Sequence, residues 1–210
     1  GLEFNFTAVA DHPAVVSGYY GGNNYTLDSV ISQTLSNTSD TAQKITYIFT
    51  PFALNMNGLQ KCQGISDTVE IWVEPTARIL ATPQKDTLCN NGITNISFLS
   101  PTVSTNGIQF NFTANPDNPL VVGGYSGGTN FTVDSVIQQT LSNTSDTAQR
   151  ILYVFTPFTL NQDGLQDCQG IPDTVEIWVE PTPNILATPQ KDTLCNNGIT
   201  NISFSTPTLS

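Results

Sequence analysis

Cations are scarce in this sequence. Six Lys plus Arg stand against seventeen Asp plus Glu in 210 residues, a formal net charge of −11. Nucleic acids and anionic membrane surfaces both require a basic face, so neither is expected as a partner. Charged residues of either sign make up only 11% of the chain, while Thr, Ser and Asn abound. Such a surface is solvated by hydroxyls and amides, as in many secreted β proteins. Apolar runs are short: none approaches the ~20 residues of a membrane span, and direct membrane insertion is not expected. No signal peptide is visible. Histidine occurs once, as His12, and the chain reads as having no HExxH, no GxSxG and no CxxC. Catalysis by a nucleophile and base, or by a zinc site, therefore has little to build on, and no cofactor or metal is expected.

What the chain has is a repeat. Asp67–Phe98 returns as Asp173–Phe204, 106 residues later, with differences only at Ala77/Pro183 and Arg78/Asn184. The correspondence runs on without a gap through Phe4/Phe110, Tyr25/Phe131, Cys62/Cys168 and Cys89/Cys195. A unit of this length can bury its own core, so the units are domains in series and not solenoid turns. His12 becomes Asn118 in the second copy, which removes the one imidazole from any shared chemistry. The frame predicts one complete unit over 76–181. Residues 1–75 are then a unit lacking its first two strands, and 182–210 supply the first two strands of a third. On that reading the sequence is a window cut from a longer periodic chain.

Alternation of apolar and polar residues assigns the elements. In TVEIWVE, Val69, Ile71 and Val73 share one face and Thr68, Glu70, Trp72 and Glu74 the other; Pro75 ends the strand because it cannot donate to a ladder. Leu2–Thr7 alternates in the same way. Lys44–Phe52 reads as a central strand with both faces covered, Ile45, Tyr47 and Phe49 on one side and Ile48 on the other. Ala14–Ser17, Arg78–Thr82, Lys85–Leu88, Thr94–Phe98 and Ile108–Thr113 read as further strands. Gly18–Asn24 and Ser36–Gln43 read as turns, and Ala53–Ser66 as a long connection carrying Cys62. Tyr25–Leu35 reads as one or two strands, although Ile31 and Leu35 at i,i+4 also suit a short helix. About seven strands per unit, with Gly, Pro and Asn at the turns, define an all-β antiparallel sandwich of immunoglobulin-like class.

Three features invite a functional reading. The loop Asn161–Asp167 has oxygen ligands at calcium-loop spacing, but its counterpart Asn55–Lys61 has lost both carboxylates, which favours a plain hairpin turn. Trp72 and Trp178 lie on the polar face of their strand, as a sugar platform or, more often, as packing under a loop or joint. Sequons occur at Asn5, Asn24, Asn37 and Asn95 and at their four equivalents.

The four cysteines form two repeat-equivalent pairs, which favours an oxidising, extracellular compartment. Two pairings compete. A local scheme joins Cys62 to Cys89 and Cys168 to Cys195. The favoured intradomain scheme joins Cys89 to Cys168 and leaves Cys62 and Cys195 to partners outside the window, because an extended run between Cys62 and Cys89 separates them beyond the ~7 Å limit on Cα spacing.

Several pieces in fixed order carry a resemblance: Tyr47-Ile48-Phe49-Thr50-Pro51, Cys62-Gln63-Gly64, TVEIWVEPT, and Cys89-Asn90-Asn91-Gly92. This order resembles the PKD-like, immunoglobulin-like repeats of giant Bacteroidota cell-surface adhesins of the SprB-type mobile gliding class. The resemblance implies tandem sandwiches, export by type 9 secretion, an extracellular, cell-surface location and a stalk or filament role linked to gliding or attachment. It implies as partners the neighbouring repeats of the same chain or filament and the outer-membrane secretion and gliding machinery. It also implies O-glycosylation at Asp-Ser/Thr-aliphatic sites, which makes Ser29, Thr41, Thr68, Thr87, Ser135, Thr147, Thr174 and Thr193 the candidates. A glycan-binding module and an accessory domain of a larger extracellular enzyme are the alternative readings.

Overall fold

The computed structural model describes residues 1–209, with every side chain among them except that of Lys61. All regular structure among the described residues is β, and no helix is long and apolar enough to cross a membrane. Contacts divide the chain into two compact units. The first holds Gly1–Arg78, Ser100–Gln109 and Pro157–Ile171; the second holds Ile79–Leu99, Phe110–Thr156 and Pro172–Ser210.

In chain order the strands are β1 (Leu2–Ala10), β2 (Val16–Ser17), β3 (Gly22–Tyr25), β4 (Ser36–Asn37), β5 (Gln43–Leu54), β6 (Gln60–Gln63) and β7 (Asp67–Val73). Then come β8 (Leu80–Pro83), β9 (Thr87–Leu88), β10 (Gly92–Ile93), β11 (Ile96–Leu99), β12 (Ile108–Pro116), β13 (Val122–Gly123) and β14 (Gly128–Thr132). The last are β15 (Thr140–Asn143), β16 (Gln149–Leu160), β17 (Gln166–Gln169), β18 (Asp173–Val179), β19 (Leu186–Pro189) and β20 (Ile202–Ser205).

In the first unit the sheet runs β3-β1-β5, with β6 and β7 both on the far edge of β5. Antiparallel register sets Phe6 opposite Phe49, Ala8 opposite Tyr47 and Ala10 opposite Ile45. On the other side of β5, Ile45 faces Ile71 and Tyr47 faces Val69. Period-two alternation thus collects the apolar residues of three strands on one face, and Phe6, Ile45 and Tyr47 are buried there.

The second unit is a closed sandwich, all-β and antiparallel in its main ladders. One sheet runs β14-β12-β16-β18-β9, the last pair being parallel. Over it lie the hairpin β8–β11 and the ribbon β10-β15-β13. Ile96 and Ile137 exchange backbone hydrogen bonds of 3.2 and 3.0 Å, which ties the hairpin to the ribbon. The core is made of Ile79, Ala81, Ile96 and Phe98 from the cover and Leu88 from the β9 edge, packed with Phe110, Phe112, Tyr153, Phe155, Val175 and Ile177. Phe98 sits 4.3 Å from Phe110 and 4.9 Å from Phe155 between ring centroids, the second contact edge-to-face.

Four expectations are corrected. β5 and β16 are central in their sheets, yet only one face of each meets the core; Ile48 and Val154 on the other are half-buried. An antiparallel sheet in a two-layer sandwich needs only one covered face. The Ala53–Ser66 connection is a tight hairpin: β5 continues to Leu54 and pairs with β6. Its turn closes because Asn55 Oδ1 accepts the amides of Asn57 and Leu59, both at 2.9 Å, while Gly58 adopts φ 74°. The Gly18–Asn24 turn already contains the start of β3, with Asn24 in the left-handed region at φ 61°. Over 25–35 neither the expected strands nor a helix forms beyond Tyr25, which ends β3. The i,i+4 spacing of Ile31 and Leu35 is equally a strand spacing, and their counterparts Ile137 and Leu141 are buried in the second unit as members of paired segments.

Candidate functional site: a docking turn

The stretch SNTSDTAQ folds in both units around one asparagine. Asn143 is 2% exposed. Its Nδ2 donates to the carbonyls of Thr147 (2.7 Å) and Val179 (2.8 Å), and its Oδ1 accepts from the amide and hydroxyl of Ser145. Asn37 makes the same bonds to Thr41, Val73 and Ser39. Gln43 and Gln149 close the turn from beneath, donating to Ser39 and Thr41 and to Ser145 and Thr147 respectively. His12 serves this network too, with Nδ1 2.7 Å from Gln43 Oε1. The sole imidazole is thus a structural partner.

A turn so satisfied from within leaves backbone groups facing outward. In the first unit the Val103 amide donates to Asp40 O and the Ala42 amide donates to Val103 O, both at 2.8 Å. Thr41 and Val103 form a parallel bridge. In the second unit Thr147 pairs in parallel with Leu209, whose amide donates to Asp146 O at 2.7 Å. Both docked residues lie 62 positions after the threonine they pair with (103 − 41 and 209 − 147). Beside the first of these, Glu74 accepts from the amide and hydroxyl of Thr105. The turn is a backbone port for an incoming extended segment, joined by two bonds in the first unit.

Next to this port in the first unit is a groove of about 570 Å³ lined by Thr41, Trp72, Val103, Thr105, Asn106 and Gln162. Trp72 is 53% exposed, and Trp178 is 41% exposed. The outer sheet face carries ion pairs: Lys44 to Glu70 at 2.8 Å, and Arg150 to Asp117 (3.1 Å) and Glu176 (2.8 Å). These carboxylates hold the Lys44 and Arg150 cations above their ordinary pKa, chiefly by hydrogen bonding.

The other candidate residues are scattered. Of the glycosylation candidates, Ser29, Thr41, Thr68, Thr87, Thr147, Thr174 and Thr193 are exposed, and Ser135 is half-buried, its Oγ accepting from the Thr132 amide. Cys62, Cys89, Cys168 and Cys195 are all exposed and free, so neither disulfide scheme is formed in this structure. Cys89 follows the end of β9 and Cys168 lies within β17. The Asn161–Asp167 loop is the tight turn of the β16–β17 hairpin; Asn161 Oδ1 accepts the amides of Asp163 and Leu165, both at 3.0 Å. No group of three or more His, Cys, Asp or Glu gathers among the described residues. The sequon at Asn143 is spent on the turn, since its amide is buried and fully bonded.

Sequence reasoning missed two things. The docking turn looked like an ordinary polar connection; only the alternation of Asn, Ser and Thr over eight residues hinted at side chains bonding backbone. The reading that the chain has no GxSxG is also corrected: Gly124-Tyr125-Ser126-Gly127-Gly128 has that spacing, the spacing of a nucleophile elbow. In the structure Ser126 lies between β13 and β14, bonded through its amide, carbonyl and hydroxyl to Gln139. No histidine belongs to this unit, and the first copy carries Tyr20 in place of the serine. Gln139 in turn accepts the Tyr153 hydroxyl at 2.8 Å, and burial pushes that phenol well above its usual range. The motif is a side-chain clamp on the core tyrosine.

The fold is therefore an all-β, immunoglobulin-like sandwich. Residues 86–183 match the PKD-like domain family, a stretch that takes in β9 to β18 of the closed sandwich. A match of this kind is consistent with a structural, adhesin-type extracellular module. No curated protein matches the chain.

Removing the side chain that builds the port tests its role. Asn143→Ala leaves the Val179 carbonyl buried without its donor and should cost about 2–3 kcal/mol. Thr144→Ala, at an exposed position, should cost under about 0.5 kcal/mol. Equal small effects in denaturant unfolding would show that the asparagine network does not hold the turn.

Proposed function

We propose that the chain is a stalk or filament segment of a secreted, surface-attached, repetitive adhesin serving attachment or gliding. The observation that carries this reading is the docking turn, occupied in both units by a segment at the same 62-residue separation. A binding module needs one good pocket; a stalk needs the same joint again and again. The near identity of Asp67–Phe98 and Asp173–Phe204 suits the second requirement, because length can then change by whole repeats. In this reading 76–181 is the complete repeat, flanked by parts of its neighbours, and those neighbours are its main partners. The location is extracellular at the cell surface, reached by type 9 secretion with its outer-membrane machinery as a transient partner, and the chain performs no catalysis.

Single-molecule extension tests the mechanical role. Pulling a tandem array should give discrete unfolding events, each releasing one repeat. The expected increment is the reach of 106 residues, roughly 350–380 Å at ~3.3–3.6 Å each, less the length the folded repeat already spanned. Smooth extension at low force would contradict it. A glycan-binding module is the second reading, favoured by Trp72 standing exposed beside Asn106 and Gln162 in its groove. Sugar binding abolished by Trp72→Ala would favour that reading over the stalk.

The bacterial-surface assignment also brings O-linked sugar to some of Ser29, Thr41, Thr68, Thr87, Ser135, Thr147, Thr174 and Thr193. Peptide mass spectrometry of native material should find it. Eight unmodified sites would remove that support.

A further inference from the structure

Linkers between domains are usually exposed stretches that few contacts cross. The segment Glu74–Arg78, which follows β7, is different: Pro75 is buried and Ala77 is 1% exposed. Two segments hold it. From the first, Thr102 Oγ1 accepts from the Arg78 amide (2.9 Å), the Ser100 hydroxyl donates to the Arg78 carbonyl (2.7 Å), and Thr105 donates to the Glu74 carboxylate. From the second, the Ile171 amide donates to the Ala77 carbonyl (2.9 Å), and Arg78 and Ile171 form a parallel bridge. The first segment also carries Val103, the residue seated in the docking turn between Asp40 and Ala42.

Gly170 sets how closely the second segment can come. A Cβ there would lie 1.9 Å from the Ala77 carbonyl oxygen and 2.6 Å from its carbon. Backbone atoms cannot swing aside as the end of a flexible side chain can. Only glycine fits at this position with the linker in place.

The differences between the two copies of the joint spare the groups that bond. Pro183 stands for Ala77 and keeps the carbonyl while losing only an amide. Asn184 stands for Arg78; its amide again donates to a threonine, Thr208, and its carbonyl accepts from Thr206. Thr206 in turn stands for Ser100 and keeps the hydroxyl. Leu209 stands for Val103 and again donates its amide to the docking turn. Side chains change here, but donors and acceptors do not.

We propose that the docking turn, Glu74–Arg78, Ser100–Thr105 and Gly170–Ile171 form one cooperative clamp, through which parts of two successive repeats open and close together. The backbone of Arg78 is the shared element, bonded by the first segment and bridged to the second, so releasing either frees the chain that the other holds. In a tandem array, load then crosses the joint through paired backbone as well as through the covalent linker. That use rests on the stalk reading; the clamp itself does not, and its test involves no adhesin property.

Amide hydrogen exchange of the 210-residue chain is that test. The amides of Ala42, Val103 and Ile171 should share one opening step and show the same protection. Gly170→Ala should speed exchange at Ala42 and Val103, which it does not touch, by about tenfold or more. Ile96 and Ile137 of the closed sandwich should be unchanged. Glu74→Ala, made on the other side of the linker, should speed Ile171 by a similar factor, and it decides the matter if Gly170→Ala disturbs the sandwich itself. An effect of Gly170→Ala confined to Ile171, or absent altogether, overturns the proposal. So does Glu74→Ala leaving Ile171 unchanged, because the two segments would then hold the linker independently.

Discussion

Everything in the closed sandwich depends on shielding one sheet face from water. Tyr153, Phe155, Val175 and Ile177 lie side by side on β16 and β18 because alternation and register leave them no other place. A single sheet cannot bury such a face alone. The shielding comes from Ile79, Ile96 and Phe98 of the cover and Leu88 of the edge strand β9, each at most 7% exposed. Burying an apolar side chain of this size stabilises by about 1.5–3 kcal/mol. Four of them therefore contribute an amount comparable with the net stability of a small domain, about 5–15 kcal/mol. The cover is not decoration on a finished sheet.

The same dependence explains the unusual parallel pairing of β9 with β18. Leu88 must reach the core from the edge of the sheet, and the amides of Trp178 and Glu180 need acceptors there. One short strand answers both needs. In the first unit Val69 and Ile71 of β7 are 44% and 40% exposed although their sequence is unchanged. The docking turn shows the complementary principle. Asn37 and Asn143 satisfy their surroundings so fully that the carbonyls of Asp40 and Asp146 are free to receive a segment from elsewhere. Core closure and joint formation thus use different currencies, apolar area in one case and backbone bonds in the other.

Much of this was legible in the residues. The face of TVEIWVE, the alternation of Leu2–Thr7 and the repeat itself follow from period-two patterning, which local sequence records directly. The hairpin at Ala53–Ser66 was not legible, because a turn closed by an Asn side chain looks like any polar loop until its amides are counted. β5 runs Gln43–Leu54, one residue earlier and two later than Lys44–Phe52, because its end pairs with β6 across the hairpin. The site was less legible still. SNTSDTAQ displays no catalytic or metal-binding pattern, and its role comes from a partner 62 residues away, a distance no local pattern reports. Val69 and Val175 have identical neighbours in sequence and opposite environments in space.

That last contrast gives the most direct test of the cover's importance. Phe98→Ala and Phe204→Ala alter identical sequence contexts, Thr-Asn-Ile-Ser-Phe in each, but only Phe98 is packed on Phe110 and Phe155. In dilute solution, unfolding by denaturant should show Phe98→Ala destabilising the second unit by about 3–5 kcal/mol. Phe204→Ala should change stability by less than about 0.5 kcal/mol. Equal losses at the two positions, or a negligible loss at Phe98, would contradict the claim that the hairpin β8–β11 is what closes the sandwich.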